Sequence, residues 1–100
     1  MTPGGSFTVQ TIHPRVGRYL KRQEARVQEA FWAALDHLSA GPLPPHDPAH
    51  IAHLKGPLHC SYRYVLAGGR RGLRILYEVD QAAREITVYD FGPRGDVYRG

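Results

Sequence analysis

Arginines on two neighbouring strands are the first residues in this sequence whose types and spacing suggest chemistry. Residues 61–66 (SYRYVL) and 73–79 (LRILYEV) are rich in β-branched and aromatic residues, and Gly68-Gly69-Arg70-Arg71-Gly72 lies between them. That pattern predicts a β-hairpin. With the turn centred between residues 69 and 70, Arg63 faces Leu76 and Val65 faces Arg74. Side chains alternate along a strand, so Arg63, Val65, Arg74 and Leu76 share one face. Tyr62, Tyr64, Leu66, Leu73, Ile75 and Tyr77 share the other, which is the natural core. Two guanidinium groups then emerge close together on an exposed face with no acid directly opposite either. Their planar forks match the oxygens of a phosphate or carboxylate. The plain alternative is two solvated arginines on an open sheet.

Other cations surround this pair. Arg94, in the expected turn Gly92-Pro93-Arg94-Gly95, and Tyr98 beyond it are placed to converge on the same face. Arg70 and Arg71 sit at the hairpin tip, within reach of a nucleic-acid backbone, and Lys55 is a further phosphate contact. A turn arginine, an edge tyrosine and solvated loop charges are the competing readings. Six histidines raise the question of a metal, above all His50 and His53, three residues apart beside His46, Asp47, His59 and Cys60. No spacing here matches a tetrahedral zinc set, so no metal site is expected. Cys60 reads as a small packed residue, since nothing nearby orients His59 as its base.

The elements that must position these residues follow from periodicity. Residues 6–12 (SFTVQTI) alternate as a half-buried strand, with Phe7 and Val9 inward and then, after a break in phase, Ile12. Pro14 suits the first turn of a helix. Residues 15–39 lack proline and carry two apolar stripes, Val16/Tyr19/Leu20 and Val27/Ala30/Phe31/Ala34/Leu35/Leu38. One helix of that length would reach about 38 Å at ~1.5 Å per residue. That overhangs so small a domain, so two helices with a turn near 21–25 are expected, the second stopped by Gly41-Pro42. Asp47-Pro48 reads as an N-cap and first-turn proline, giving a single helical turn over 48–53. Residues 80–84 form a turn, 85–91 (EITVYDF) a strand, and 96–99 follow the last turn. The fold class is therefore α+β: an N-terminal strand, a two-helix hairpin, then an antiparallel β-meander, with the helices packed on one sheet face.

Composition sets the frame. One hundred residues with 42% hydrophobic content support one domain, 1–100, and one modest core. No apolar run approaches the length of a membrane span, no secretion signal opens the chain, and a single cysteine leaves no internal disulfide. A cytoplasmic location is expected. The net charge is +4, and eleven of the thirteen basic residues are arginine. The excess leans to residues 55–100, which favours an anionic partner such as nucleic acid.

Read in order, Leu54-Lys55-Gly56, Tyr62-Arg63, Leu73-Arg74-Ile75-Leu76-Tyr77-Glu78-Val79-Asp80 and Phe91-Gly92-Pro93-Arg94-Gly95-Asp96-Val97-Tyr98 resemble the RelE/ParE toxin superfamily. The resemblance spans residues 7–99. It implies the toxin of a toxin–antitoxin pair, and for the RelE branch a ribosome-dependent, metal-independent mRNA endonuclease that needs no cofactor and inhibits translation. It implies that Arg63, Arg74, Arg94 and Tyr98 are catalytic, and Lys55, Arg70 and Arg71, by their positions, are the expected RNA-binding residues. The implied partners are a cognate antitoxin and mRNA on the ribosome, with assembly as a homo-oligomer or a toxin–antitoxin hetero-oligomer. Two positions depart from the pattern. Val65 stands where the nucleases carry a second basic residue, and Pro93 where some branches carry histidine. The alternatives are a ParE-like poison of DNA gyrase that cuts no RNA, and an inactive module that only binds its antitoxin.

Overall fold

In the computed structural model, residues 6–54, 61–66 and 72–93 are described. Strand β1 (Thr8–Ile12) leads into helices α1 (Pro14–Lys21) and α2 (Ala25–Ala40). A 3₁₀ turn over Pro44–His46 is followed by strands β2 (Ile51–His53), β3 (Ser61–Val65), β4 (Leu73–Asp80) and β5 (Glu85–Pro93). The sheet order is β1-β5-β4-β3-β2, with β1 parallel to β5 and every other pair antiparallel.

Local chemistry accounts for each boundary. The break in phase in β1 is a register shift between Val9 and Thr11, which leaves Gln10 without a partner on β5. His13 caps α1 by accepting the Arg15 backbone N–H at Nδ1, 3.1 Å away, and Pro14 occupies the first turn. The helical hairpin breaks at residues 22–24, where glutamine side chains bind the exposed carbonyls. Gln23 donates to Tyr19 O, and Gln28 to Leu20 O and Gln23 O. Carbonyls at a helix end need such partners. Gly41 ends α2 in extended backbone, φ −173°. The glycine is required by space, because a Cβ there would come within 2.8 Å of the His46 ring.

The core lies between the two helices and one face of the sheet. Val16, Leu20, Phe31, Ala34, Leu35 and Leu38 meet Ile75, Tyr77, Val79, Ile86, Val88 and Phe91. Tyr77 is fully buried, and its hydroxyl donates to the buried carbonyl of Pro42 at 2.7 Å. Burial, with Tyr62, Tyr64 and Asp47 adding to it, pushes that hydroxyl far above the ordinary tyrosine range, so it remains a donor.

Two expectations are corrected. Residues 48–53 do not form one helical turn: 48–50 are a turn, and Ile51 begins an edge strand paired with Tyr64. Ile51 is 2% exposed, and burying it against the core decides the conformation. Gly92 and Pro93 extend β5 instead of forming a turn, paired with Arg74 and Leu73. The β1–β5 ladder ends at Val88, so Pro93 stands where β5 has no strand on its outer side among the described residues, and such an edge tolerates proline. The α+β class and the antiparallel meander are as expected, and β1 joins the sheet in parallel beside β5. Residues 96–99 lie outside the described residues.

Candidate nucleic-acid interface

The β3–β4 register is the one expected from the hairpin, with Arg63 paired to Leu76 and Val65 to Arg74. Arg63 and Arg74 are therefore diagonal neighbours, about 7 Å apart at their β-carbons. On its other side Arg74 pairs with Gly92 of β5. Gly92 puts no side chain directly opposite it, with Asp90 diagonal on that strand, and Val65 stands opposite on the other. A register shift in the β4–β5 pairing between Leu76 and Tyr77 helps set this arrangement. The ladder steps over Tyr89 there and returns Phe91 to the core, while Asp90 and Gly92 line up with Leu76 and Arg74.

This face is less open than the alternation alone implies. Leu76, flanked across the two ladders by Arg63 and Asp90, is only 3% exposed. Arg74 is half-buried, and its Nη1 donates to the Gly72 carbonyl at 2.7 Å. Its Nε is buried with no hydrogen-bond partner among the described residues. A buried N–H without an acceptor is costly. The picture of two freely solvated arginines therefore fails at Arg74. The acid nearest in register, Asp90, accepts the Phe91 backbone N–H and lies 3.9 Å from Arg15, itself largely exposed.

Of the residues assigned from sequence, Arg63 and Arg74 are thus brought together. Lys55, Arg70, Arg71, Arg94 and Tyr98 lie outside the described residues, as do His59 and Cys60. Among the described residues no three histidine, cysteine or acidic side chains are arranged to hold a metal ion, and no helix is long and apolar enough to cross a membrane.

A second polar cluster was not foreseen. The carboxylate of Asp47 pairs with His37 Nε2 at 2.9 Å and with His50 Nδ1 at 3.0 Å. The His37 ring lies 4.6 Å from that of His46, and Tyr64 packs against both His37 and His50. Asp47 precedes Pro48, which suggests a cap; its side-chain partners are instead His37, ten residues earlier, and His50 on its own turn. His53 turns away and meets Tyr62 edge-on at 4.9 Å, so His50 and His53 do not share a side as a helical turn would have required. The cluster fastens the proline-rich connection to the end of α2.

Desolvation raises the Asp47 carboxyl, but its hydrogen bonds and charge interactions with His50 and His37 outweigh this and hold it below the ordinary carboxylate value. A depressed carboxyl stabilises the fold fully above its unfolded value, and the contribution is lost as pH falls through the folded value. Asp47→Asn should therefore flatten the acid limb of melting temperature against pH, between about pH 5 and pH 2. An unchanged acid limb would dismiss Asp47 as a contributor.

No protein-family model matches this sequence, and no curated protein matches it. The likeness is in three dimensions. An archaeal RelE–RelB complex from Pyrococcus horikoshii has a chain 23% identical, at TM-score 0.68, with 90% of this chain and 97% of that one covered. The fold is the RelE fold. The intact Escherichia coli RelBE toxin–antitoxin complex matches at 17% identity and TM-score 0.66, covering 88% and 95%. The RelBE2 toxin–antitoxin complex of Mycobacterium tuberculosis matches at 19% and 0.58, covering 96% and 100%. Coverage near the full length of each chain means that the RelE fold accounts for both helices and the whole five-stranded sheet, rather than for a shared hairpin.

Proposed function

We propose that this chain is the toxin of a toxin–antitoxin pair and that it cleaves mRNA on the ribosome without a metal. The observation that carries the reading is the Arg63–Arg74 pair on the sheet face away from the helices, with one guanidinium held and partly desolvated. The RelE fold, and the toxin–antitoxin complexes in which its relatives were solved, support the same reading.

The reaction this face suits is internal phosphoryl transfer. The ribose 2′-oxygen attacks the adjacent phosphorus and its proton passes to a base. The P–O5′ bond breaks, and the leaving 5′-oxygen takes up a proton. The products are a 2′,3′-cyclic phosphate and a free 5′-hydroxyl. Charge builds on the non-bridging oxygens in the transition state, and fixed guanidinium donors stabilise it there. Arg63 and Arg74 take that role, with Arg94 added from the sequence resemblance. An arginine does not give up its proton, so none of them is the base. Tyr98 is the candidate for that step. Lys55, Arg70 and Arg71 are assigned to the RNA backbone. A neighbouring antitoxin is the expected protein partner, carrying an acidic segment complementary to the cationic face.

One observation favours a second reading. Val65, paired with Arg74, puts an apolar side chain in the middle of the cationic face. This fits a gyrase poison that binds protein and cuts no RNA. Two assays on the purified protein separate the readings: cleavage of mRNA in a translating ribosome system, and supercoiling by DNA gyrase. Ribosome-dependent cuts with 5′-hydroxyl ends and unimpaired supercoiling are expected. Blocked supercoiling with intact mRNA would replace the nuclease reading by the poison.

A further inference from the structure

Gly72 stands two residues before Arg74, at the start of β4. It is the one described glycine with left-handed backbone, φ +62°. That conformation presents its carbonyl to Arg74 Nη1, which donates to it at 2.7 Å. A Cβ added at Gly72 would lie 3.0 Å from the same nitrogen and 3.9 Å from the guanidinium carbon. The nearest obstacle to a side chain at residue 72 is thus the guanidinium itself, the mobile end of a long side chain. Among the described residues, its chain neighbours aside, no other atom lies within 4 Å of that Cβ, and the left-handed backbone is the second cost of a side chain there.

From this we infer that Gly72 is a positioning residue for Arg74: its bare α-carbon admits the guanidinium, and its carbonyl fixes it before any ligand arrives. The inference rests on the reading of Arg74 as a cation that meets RNA. An unrestrained arginine loses much rotamer freedom when it is immobilised on a phosphate. Here most of that loss is taken on folding, because one amino group is tied to the backbone and Nε is buried. The tie also explains how an Nε with no partner among the described residues persists: moving it to water would break the bond to Gly72. Its direct partners, Val65 and Gly92, offer no acceptor side chain, and Asp90, diagonal on β5, accepts the Phe91 N–H and lies toward Arg15.

The test separates this inference from the functional reading by using two readouts. The first is the Arg74 Nε–H signal in a nitrogen–proton NMR spectrum of the whole protein, assigned by its loss in Arg74→Ala. In the parent it should exchange slowly with water. Gly72→Ala should shift it and speed its exchange at least several-fold, with the backbone spectrum of β3 and β5 preserved. Gly72→Asn carries the same Cβ but tolerates positive φ, so it replaces Gly72→Ala if the alanine variant fails to fold. An unchanged Nε–H signal in the folded variant overturns the inference, whatever the protein does to RNA. The second readout is affinity for a short single-stranded RNA oligonucleotide at fixed salt, in a double-mutant cycle. Gly72→Ala should weaken binding roughly tenfold, about the size of one charge-assisted hydrogen bond. In an Arg74→Ala background it should weaken binding no further. An equal loss in both backgrounds shows that Gly72 acts independently of Arg74 and overturns the inference. If Arg74→Ala itself binds RNA like the parent, the functional reading of Arg74 fails, while the Nε–H arm still decides the positioning role.

Discussion

Arg74→Ala is expected to lower cleavage of ribosome-bound mRNA by about 100- to 1,000-fold, the usual consequence of deleting one fixed donor to a developing anion. The same substitution should barely change stability. It removes one hydrogen bond, from Nη1 to the Gly72 carbonyl, and also one buried Nε that has no partner among the described residues. The first loss is worth about 1 kcal/mol, and the second relieves a desolvation cost of similar size. The melting temperature should therefore move by no more than about 4–8 °C. Arg74→Lys sharpens the result. Lysine keeps the charge but loses the planar fork and the reach to Gly72, so it should recover only a small part of the activity. Primer extension on mRNA from a translating system, beside thermal melts of the same preparations, measures both quantities. Cleavage by Arg74→Ala at the parental rate would remove this arginine from the site.

Much of this site was legible because strand alternation and hairpin symmetry are strict rules. A two-residue period and a turn centred between residues 69 and 70 gave every β3–β4 partner, including Val65 with Arg74. The broken phase of Phe7, Val9 and Ile12 likewise marked the register shift in β1. The polar run 21–26 marked the helical break, because two helices wrapping one core must leave their junction in water. Other features left weak local signals. A three-residue strand such as Ile51–His53 has too few residues to show a period, and its pairing with β3 makes it a strand. Gly92-Pro93 carries turn chemistry, yet the β4 ladder continues past it. Leu76 falls on the cationic face by alternation and is nevertheless buried, since a central strand is covered by its neighbours' side chains as well as by a second layer. The Asp47 cluster depends on His37, ten residues earlier on α2, a distance at which no periodicity connects residues.

The largest effect on stability should come from Phe31→Ala. Phe31 is fully buried on α2, with its ring 4.8 Å from Phe91 of β5, and Tyr19 of α1 packs edge-on against the same Phe91. Three elements thus meet on one aromatic cluster, and alanine would leave a cavity at its centre. Such truncations cost about 3–5 kcal/mol, a large part of the roughly 5–15 kcal/mol that holds a domain together. A fall in melting temperature on the order of 15–30 °C follows for a chain of this size. The adjacent Trp32 provides the internal comparison. It is 50% exposed and touches Phe31 edge-on at 5.0 Å. Trp32→Ala should therefore cost much less, on the order of the 0.5–1.5 kcal/mol of one aromatic contact plus its modest burial. The consequence for the site follows from the register. Phe91 pairs with Ile75, and the next pair along the ladder is Gly92 with Arg74. Where Phe31→Ala remains folded, in the cold, its slackened Phe91 should cost some cleavage beyond the unfolded fraction, whereas Trp32→Ala should cost none. Thermal melts of both variants test the packing. Equal losses at Phe31 and Trp32 would mean that α2 presents a different face to the sheet from the one described.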